Sequence, residues 1–136
     1  MKKIVILFLC IATAATAGLF DKDTKVKIYT YCEKNNEIKK DDFVLWSFKV
    51  DKNSVIQKQE TYVDKILKQS DLNRLNNCIV VDKANWKCSE NDFSTPNGEV
   101  YKGSFNQVVN GKFTHGAPTS NGKPSYKLAC KLEQLN

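Results

Sequence analysis

Apolar and polar side chains alternate with a period of two along most of the chain. In "KVKIYTYC" (25–32), Val26, Ile28, Thr30 and Cys32 fall on one side, and Lys25, Lys27, Tyr29 and Tyr31 on the other. That is the pattern of a half-buried strand. The stretch "EKNNEIKKDD" (33–42) is polar and asparagine-rich and reads as an exposed loop. In "FVLWSFKV" (43–50), Val44, Trp46, Phe48 and Val50 make one face. "DKNS" supplies turn chemistry through Asp51 and Asn53, and "VIQKQETYV" (55–63) continues as a third strand, which predicts a hairpin over 43–63.

Between 63 and 77 the period changes. Val63, Ile66, Leu67 and Leu75 fit a helical stripe, and Ser70 or Asp71 is suited to cap a second short turn beginning near Leu72. One short helix is expected here. "CIVVD" and "NWKCSE" then form the two arms of a hairpin centred near Lys83, with Cys78 and Cys88 facing each other. Asn97-Gly98, Asn110-Gly111 and Asn121-Gly122 punctuate the rest. Both residue types tolerate the positive φ of a type I′ turn. The middle pair, in "QVVNGKFT", has apolar residues on both sides and predicts a hairpin; the other two, beside Pro96 and Pro124, read as loop closures. "YKLACKLE" (126–133) is a last strand. Seven or eight strands with one short helical segment, no internal repeat and no linker predict a mainly β chain: a single small antiparallel domain, barrel-like or a bent sheet.

The first residues add a compartment. Lys2 and Lys3 precede the unbroken apolar run from Ile4 to Ile11, and Ala15 and Ala17 occupy the A-x-A positions of a cleavage site. Residues 1–17 read as a signal peptide, leaving 18–136 as one exported β-rich domain, secreted or periplasmic. The apolar run is far short of the roughly 20 residues that span a bilayer, so no membrane span is expected. Cys10 follows Leu9, where a lipoprotein signal needs a small residue.

Four cysteines follow the leader: Cys32, Cys78, Cys88 and Cys130. Neither a close C-x₂₋₄-C or H-x₃₋₅-H pair for zinc nor a C-x-x-C redox motif is present. In an exported chain the even count reads as two disulfides. The expected pairs are Cys78 with Cys88 and Cys32 with Cys130; the rival pairing joins Cys32 to Cys88 and Cys78 to Cys130.

Charge changes the picture little. Lys2 and Lys3 leave with the leader, so 21 basic residues become 19 against 15 acidic ones, a net charge of +4. Arg74 is the single arginine. Nucleic-acid readout leans on the planar, bidentate guanidinium, so no nucleic-acid partner is expected. A lysine-coated surface suits an anionic envelope component.

Candidate chemistry is sparse. There is no G-x-S-x-G elbow, phosphate-binding loop, dinucleotide fingerprint or calcium-loop spacing, and no cofactor or metal is expected. His115, in "FTHGAP", reads as an exposed loop histidine. Trp46 lies mid-strand among apolar residues and reads as core, whereas Trp86, just past a turn, is the better surface candidate. With Tyr29, Tyr31 and Tyr62, joined by Phe43, Trp86 makes up the candidate binding surface. The residues therefore point to a non-enzymatic binding protein, inhibitor- or adaptor-like, acting on a protein or envelope component. A carboxylate-dependent hydrolase of an envelope polymer is the alternative, since such a site needs only two well-placed acids. A surface or appendage subunit is a third reading.

Intact mass of the exported product checks the compartment. The expected chain starts at Gly18 without lipid; a species starting at an acylated Cys10 overturns it.

Overall fold

The computed structural model describes residues 23–31, 37–125 and 130–136, and in these the period-two pattern gives thirteen strands and no helix. In chain order they are β1 (Thr24–Tyr29), β2 (Phe43–Asp51), β3 (Ser54–Val63), β4 (Ile66–Arg74), β5 (Cys78–Asp82) and β6 (Asn85–Ser89). There follow β7 (Phe93–Ser94), β8 (Val100–Lys102), β9 (Phe105–Val109), β10 (Lys112–Gly116), β11 (Thr119–Ser120), β12 (Lys123–Pro124) and β13 (Lys131–Gln134). The expected leader, Cys32 and residues 126–129 of the expected last strand lie outside the described residues.

Three antiparallel sheets result: β13-β1-β2-β3-β4, β10-β9-β6-β5 and a small β12-β11-β8-β7. The first two face each other across one core, so the arrangement is two opposed sheets rather than a barrel or one bent sheet. Val26 and Ile28 from β1, Trp46 and Phe48 from β2 and Val55 from β3 meet Trp86 and Cys88 from β6, Val108 from β9 and Phe113 from β10. Val26, Ile28, Phe48, Val55 and Val108 are fully buried, each worth about 1.5–3 kcal/mol of apolar transfer.

The expected helix over 63–77 is not there; β4 occupies most of it. Asp64 and Lys65 both have positive φ (53° and 65°), the signature of a type I′ turn that sends the chain straight back along β3. Pairing runs from Val63↔Ile66 to Ile56↔Arg74, with a bulge between Thr61 and Tyr62. The apparent helical stripe is split by the strand: Val63, Ile66 and Leu67 are exposed, and Leu75, just past the end of β4, packs against the core. The turn is held from outside. Lys65 N–H donates to Asp41 O (2.9 Å) and Asp64 N–H to the Asp42 carboxylate (2.9 Å). The Asp64 amide and the Lys39 ammonium hold the Asp42 carboxyl below the usual carboxylate range.

All three Asn-Gly pairs sit in hairpins. Asn110 and Gly111 (φ 50° and 80°) join β9 to β10 as expected. Asn121 and Gly122 (φ 52° and 76°) do the same for β11 and β12, correcting the loop reading. Pro124 is accommodated because β12 is an edge strand, where a missing amide breaks no ladder. Between β7 and β8, Pro96 and Asn97 occupy the centre of a turn closed by Gly98 N–H to Thr95 O (3.0 Å), with Gly98 left-handed at φ 82°.

The hairpin of β5 and β6 carries the predicted clasp. Cys78 and Cys88 are register partners and form a disulfide across a Cα–Cα distance of 4.0 Å. That excludes the rival pairing. The other expected bridge, Cys32 to Cys130, falls outside the described residues through Cys32; its described end, Cys130, donates its N–H to Tyr29 O (2.9 Å) at the junction of β13 with β1.

The bridge closes a loop with a sequence separation of 10. Replacing both Cys78 and Cys88 with alanine is expected to cost about 2.7 kcal/mol through loop entropy alone, read from denaturant unfolding.

Candidate functional site

Pairing fixes which side chains share each outer face. On the first sheet, Lys131, Tyr29, Phe43, Tyr62 and Leu67 are successive cross-strand partners from β13 to β4, so they form one lateral row. Phe43 and Tyr62 stack with ring centroids 4.7 Å apart. The Lys27 ammonium lies 4.2 Å from the centre of the Phe43 ring and 5.1 Å from that of Tyr29, and Lys131 approaches Tyr29 at 6.0 Å. Tyr29 is buried beneath this cover. Three of the five residues grouped from the sequence are thus brought together, but lysines of the same sheet lie over Tyr29 and Phe43, and Tyr62 stacks on Phe43. Tyr31 stands apart beyond the end of β1, exposed, its carbonyl accepting from Lys39 N–H (3.1 Å).

Trp86 is not a surface residue. It is 4% exposed, with its ring 5.2 Å from that of Phe48. The cause is its phase: Trp86 lies two residues from Cys88, so both point to the same face, and Cys88 is in the core.

His115 is not an exposed loop residue either. It lies in β10, two residues from the buried Phe113, and packs edge-on against Trp46 at 5.6 Å. Its Nδ1 meets Asn106 Oδ1 at 2.7 Å across the β9–β10 pair. Burial lowers its pKa from the ordinary 6.5, favouring neutral imidazole. Wedged against an indole and held by an amide, this ring is built as packing.

The feature that sequence reasoning missed lies on the outer face of the second sheet. Ile79, Val81 and Val109 are 73%, 78% and 53% exposed. They border a shallow open groove of about 220 Å³ whose wall is completed by Asn85, Lys87 and Gln107. The signal was available. Cys78 and Val80 pack toward the core, so Ile79, out of phase with them, points away; Val81 sits at a register irregularity between Val80 and Asp82 and is exposed there. β5 is also an edge strand, so the aliphatic patch runs to the rim of the sheet. Lys87, which lines the same groove, turns its ammonium over the Phe105 ring, 4.8 Å from its centre. What this arrangement can do is bind, through apolar contact with a polar rim.

No helix of the described residues is long and apolar enough to cross a membrane. Compared with protein-family models, curated proteins and solved structures, the chain matches none of them.

The lowered pKa of His115 has a definite consequence for stability. The unfolded chain takes up a proton near pH 6.5 while the folded chain resists it. The contribution of neutral His115 is therefore complete above pH 6.5 and is lost as the pH falls through the depressed folded value. Denaturant midpoints measured across this window are expected to fall toward acid more steeply for the wild type than for His115→Gln. Parallel curves would contradict the assignment.

Proposed function

We propose that the chain is an exported, non-enzymatic interaction protein that binds a protein partner through the outer face of its second sheet. The observation carrying this reading is the cluster of Ile79, Val81 and Val109. Each side chain is worth roughly 1.5–3 kcal/mol when fully taken out of water, yet all three are exposed along one groove, Ile79 and Val81 on β5 and Val109 on β9 across Asn85 and Lys87 of β6. Exposed aliphatic residues grouped at a groove mark a contact surface more often than a solvated one. The β5–β6 disulfide supports the rest of the reading: it braces the strands that display the patch and belongs to an oxidising compartment, as does the leader-like N-terminus. The lysine-rich surroundings suit a partner of acidic character.

Affinity capture from envelope extract tests the reading when wild type is paired with Ile79→Lys/Val81→Lys. Both positions are exposed on the strand, so stability is expected to change by no more than about 0.5 kcal/mol per site. A partner held by wild type and released by the variant supports the proposal. A partner held equally by both moves the site elsewhere. Turnover of an envelope polymer by the purified chain overturns the non-enzymatic reading.

A further inference from the structure

The chain contains the same dipeptide three times, and the fold treats the three copies differently. In Asn110-Gly111 the turn is stapled to its neighbours. Gly111 N–H donates to Ala84 O (3.0 Å), Asn110 N–H to Asn85 Oδ1 (2.9 Å), and Gly111 O accepts from Gln134 Nε2 (2.6 Å). In Asn97-Gly98 the glycine N–H is held by Thr95 O at 3.0 Å, and Thr95 N–H donates in turn to Glu99 O at 2.9 Å. Among the described residues Asn121-Gly122 has no such restraint. Among the described residues nothing accepts from Gly122 N–H, both residues are exposed, and the hairpin they close is two residue pairs long. It also forms the outer edge of the smallest sheet, where local opening costs least.

The distinction matters because of a reaction this dipeptide undergoes in water. Base removes the proton from the glycine amide, and the nitrogen attacks Cγ of the preceding asparagine. The Cγ–Nδ2 bond breaks and ammonia leaves, closing a five-membered succinimide. Water then opens the ring at either carbonyl, leaving aspartate or isoaspartate. The net change is ammonia out and water in, with no oxidant or reductant. A glycine amide already donating to a carbonyl must give up that bond before it reacts; a free one need not.

We infer that Asn121 is a modification site, converted spontaneously to aspartate and isoaspartate in the folded protein, while Asn97 and Asn110 are protected. Conversion places a carboxylate at the turn and lowers the net charge by one. The isoaspartate product also inserts a backbone methylene between Ser120 and Lys123, which are hydrogen-bonded partners across the turn, and so breaks the register of the hairpin. The edit is confined to the third sheet, away from the core and from the Ile79–Val81–Val109 face.

Incubation of the purified folded chain at mildly alkaline pH, followed by proteolysis and high-resolution mass spectrometry, tests this. The three Asn-Gly peptides are followed separately, with isoaspartate detected by enzymatic methylation. In the folded chain Asn121 is expected to convert first, with Asn97 and Asn110 up to about tenfold slower, the factor that one broken hydrogen bond imposes. In urea with the disulfide reduced, the three rates are expected to converge, which assigns the difference to the fold rather than to flanking sequence. Conversion of Asn97 or Asn110 as fast as Asn121 in the folded chain overturns the inference. So does an inert folded-state Asn121 over a time in which the unfolded chain converts, and so does persistence of the ranking in urea.

Discussion

Phe48 is the residue on which the two opposed sheets converge. Fully buried on β2, it meets Trp46 of its own strand at 6.0 Å, and Trp86 and Phe113 of the facing sheet at 5.2 Å and 5.1 Å. One ring therefore contacts both layers. Offset and edge-on geometry adds about 0.5–1.5 kcal/mol per pair to what burial supplies. Around it the polar loose ends are tied: Trp46 Nε1 donates to Gln59 Oε1 (3.0 Å) rather than being buried without an acceptor. The sheets are also stitched at one rim. Gln134 on β13 accepts from Phe113 N–H (2.8 Å) and donates to Gly111 O (2.6 Å), so a single amide satisfies backbone groups of the opposite layer's edge strand. The aliphatic patch can stand exposed on β5 because the opposite side of its sheet is anchored in this way.

The two outer faces show how similar composition leads to different availability. On the first sheet Lys27 lies over Tyr29 of its own strand and Phe43 of the next, and Phe43 stacks on Tyr62, so these rings find partners within the chain. On the second, the apolar residues are short and branched and offer no π-face for a cation to cover. The lysine in the same cross-strand row, Lys87, finds Phe105 instead. An aromatic-rich surface is thus the less available of the two, contrary to what residue type alone suggests.

Strands that bury one face were legible from sequence. Val26 and Ile28, then Trp46 and Phe48, announce their phase because solvent and core demand opposite side chains at alternate positions. The β5–β6 register was legible because two cysteines can be bridged only when opposed. The strand β4 was not legible, since it buries almost nothing and so no period is imposed on it. Its position is fixed by left-handed Asp64 and Lys65, and a lysine gives no advance sign of that conformation. His115 and Trp86 were misplaced because glycine, proline and turn residues nearby outweighed the phase set by Phe113 and Cys88. The aliphatic patch was not legible as a unit because Ile79 and Val81 on β5 and Val109 on β9 are brought onto one face only by the pairing of both strands with β6.

The pairing of β1 with β13 brings the first and last described strands together. Val26 faces Gln134, Leu135 N–H donates to Lys25 O (2.8 Å), and the Asn136 side chain reaches both Lys25 N–H, a partner 111 residues away, and Asp23 O. Contacts so distant in sequence are made late, after the intervening loop has been closed. Until β13 is in place, β1 is paired on one side only, through β2. Loss of β13 is therefore felt first at β1, a strand more than a hundred residues earlier in the chain.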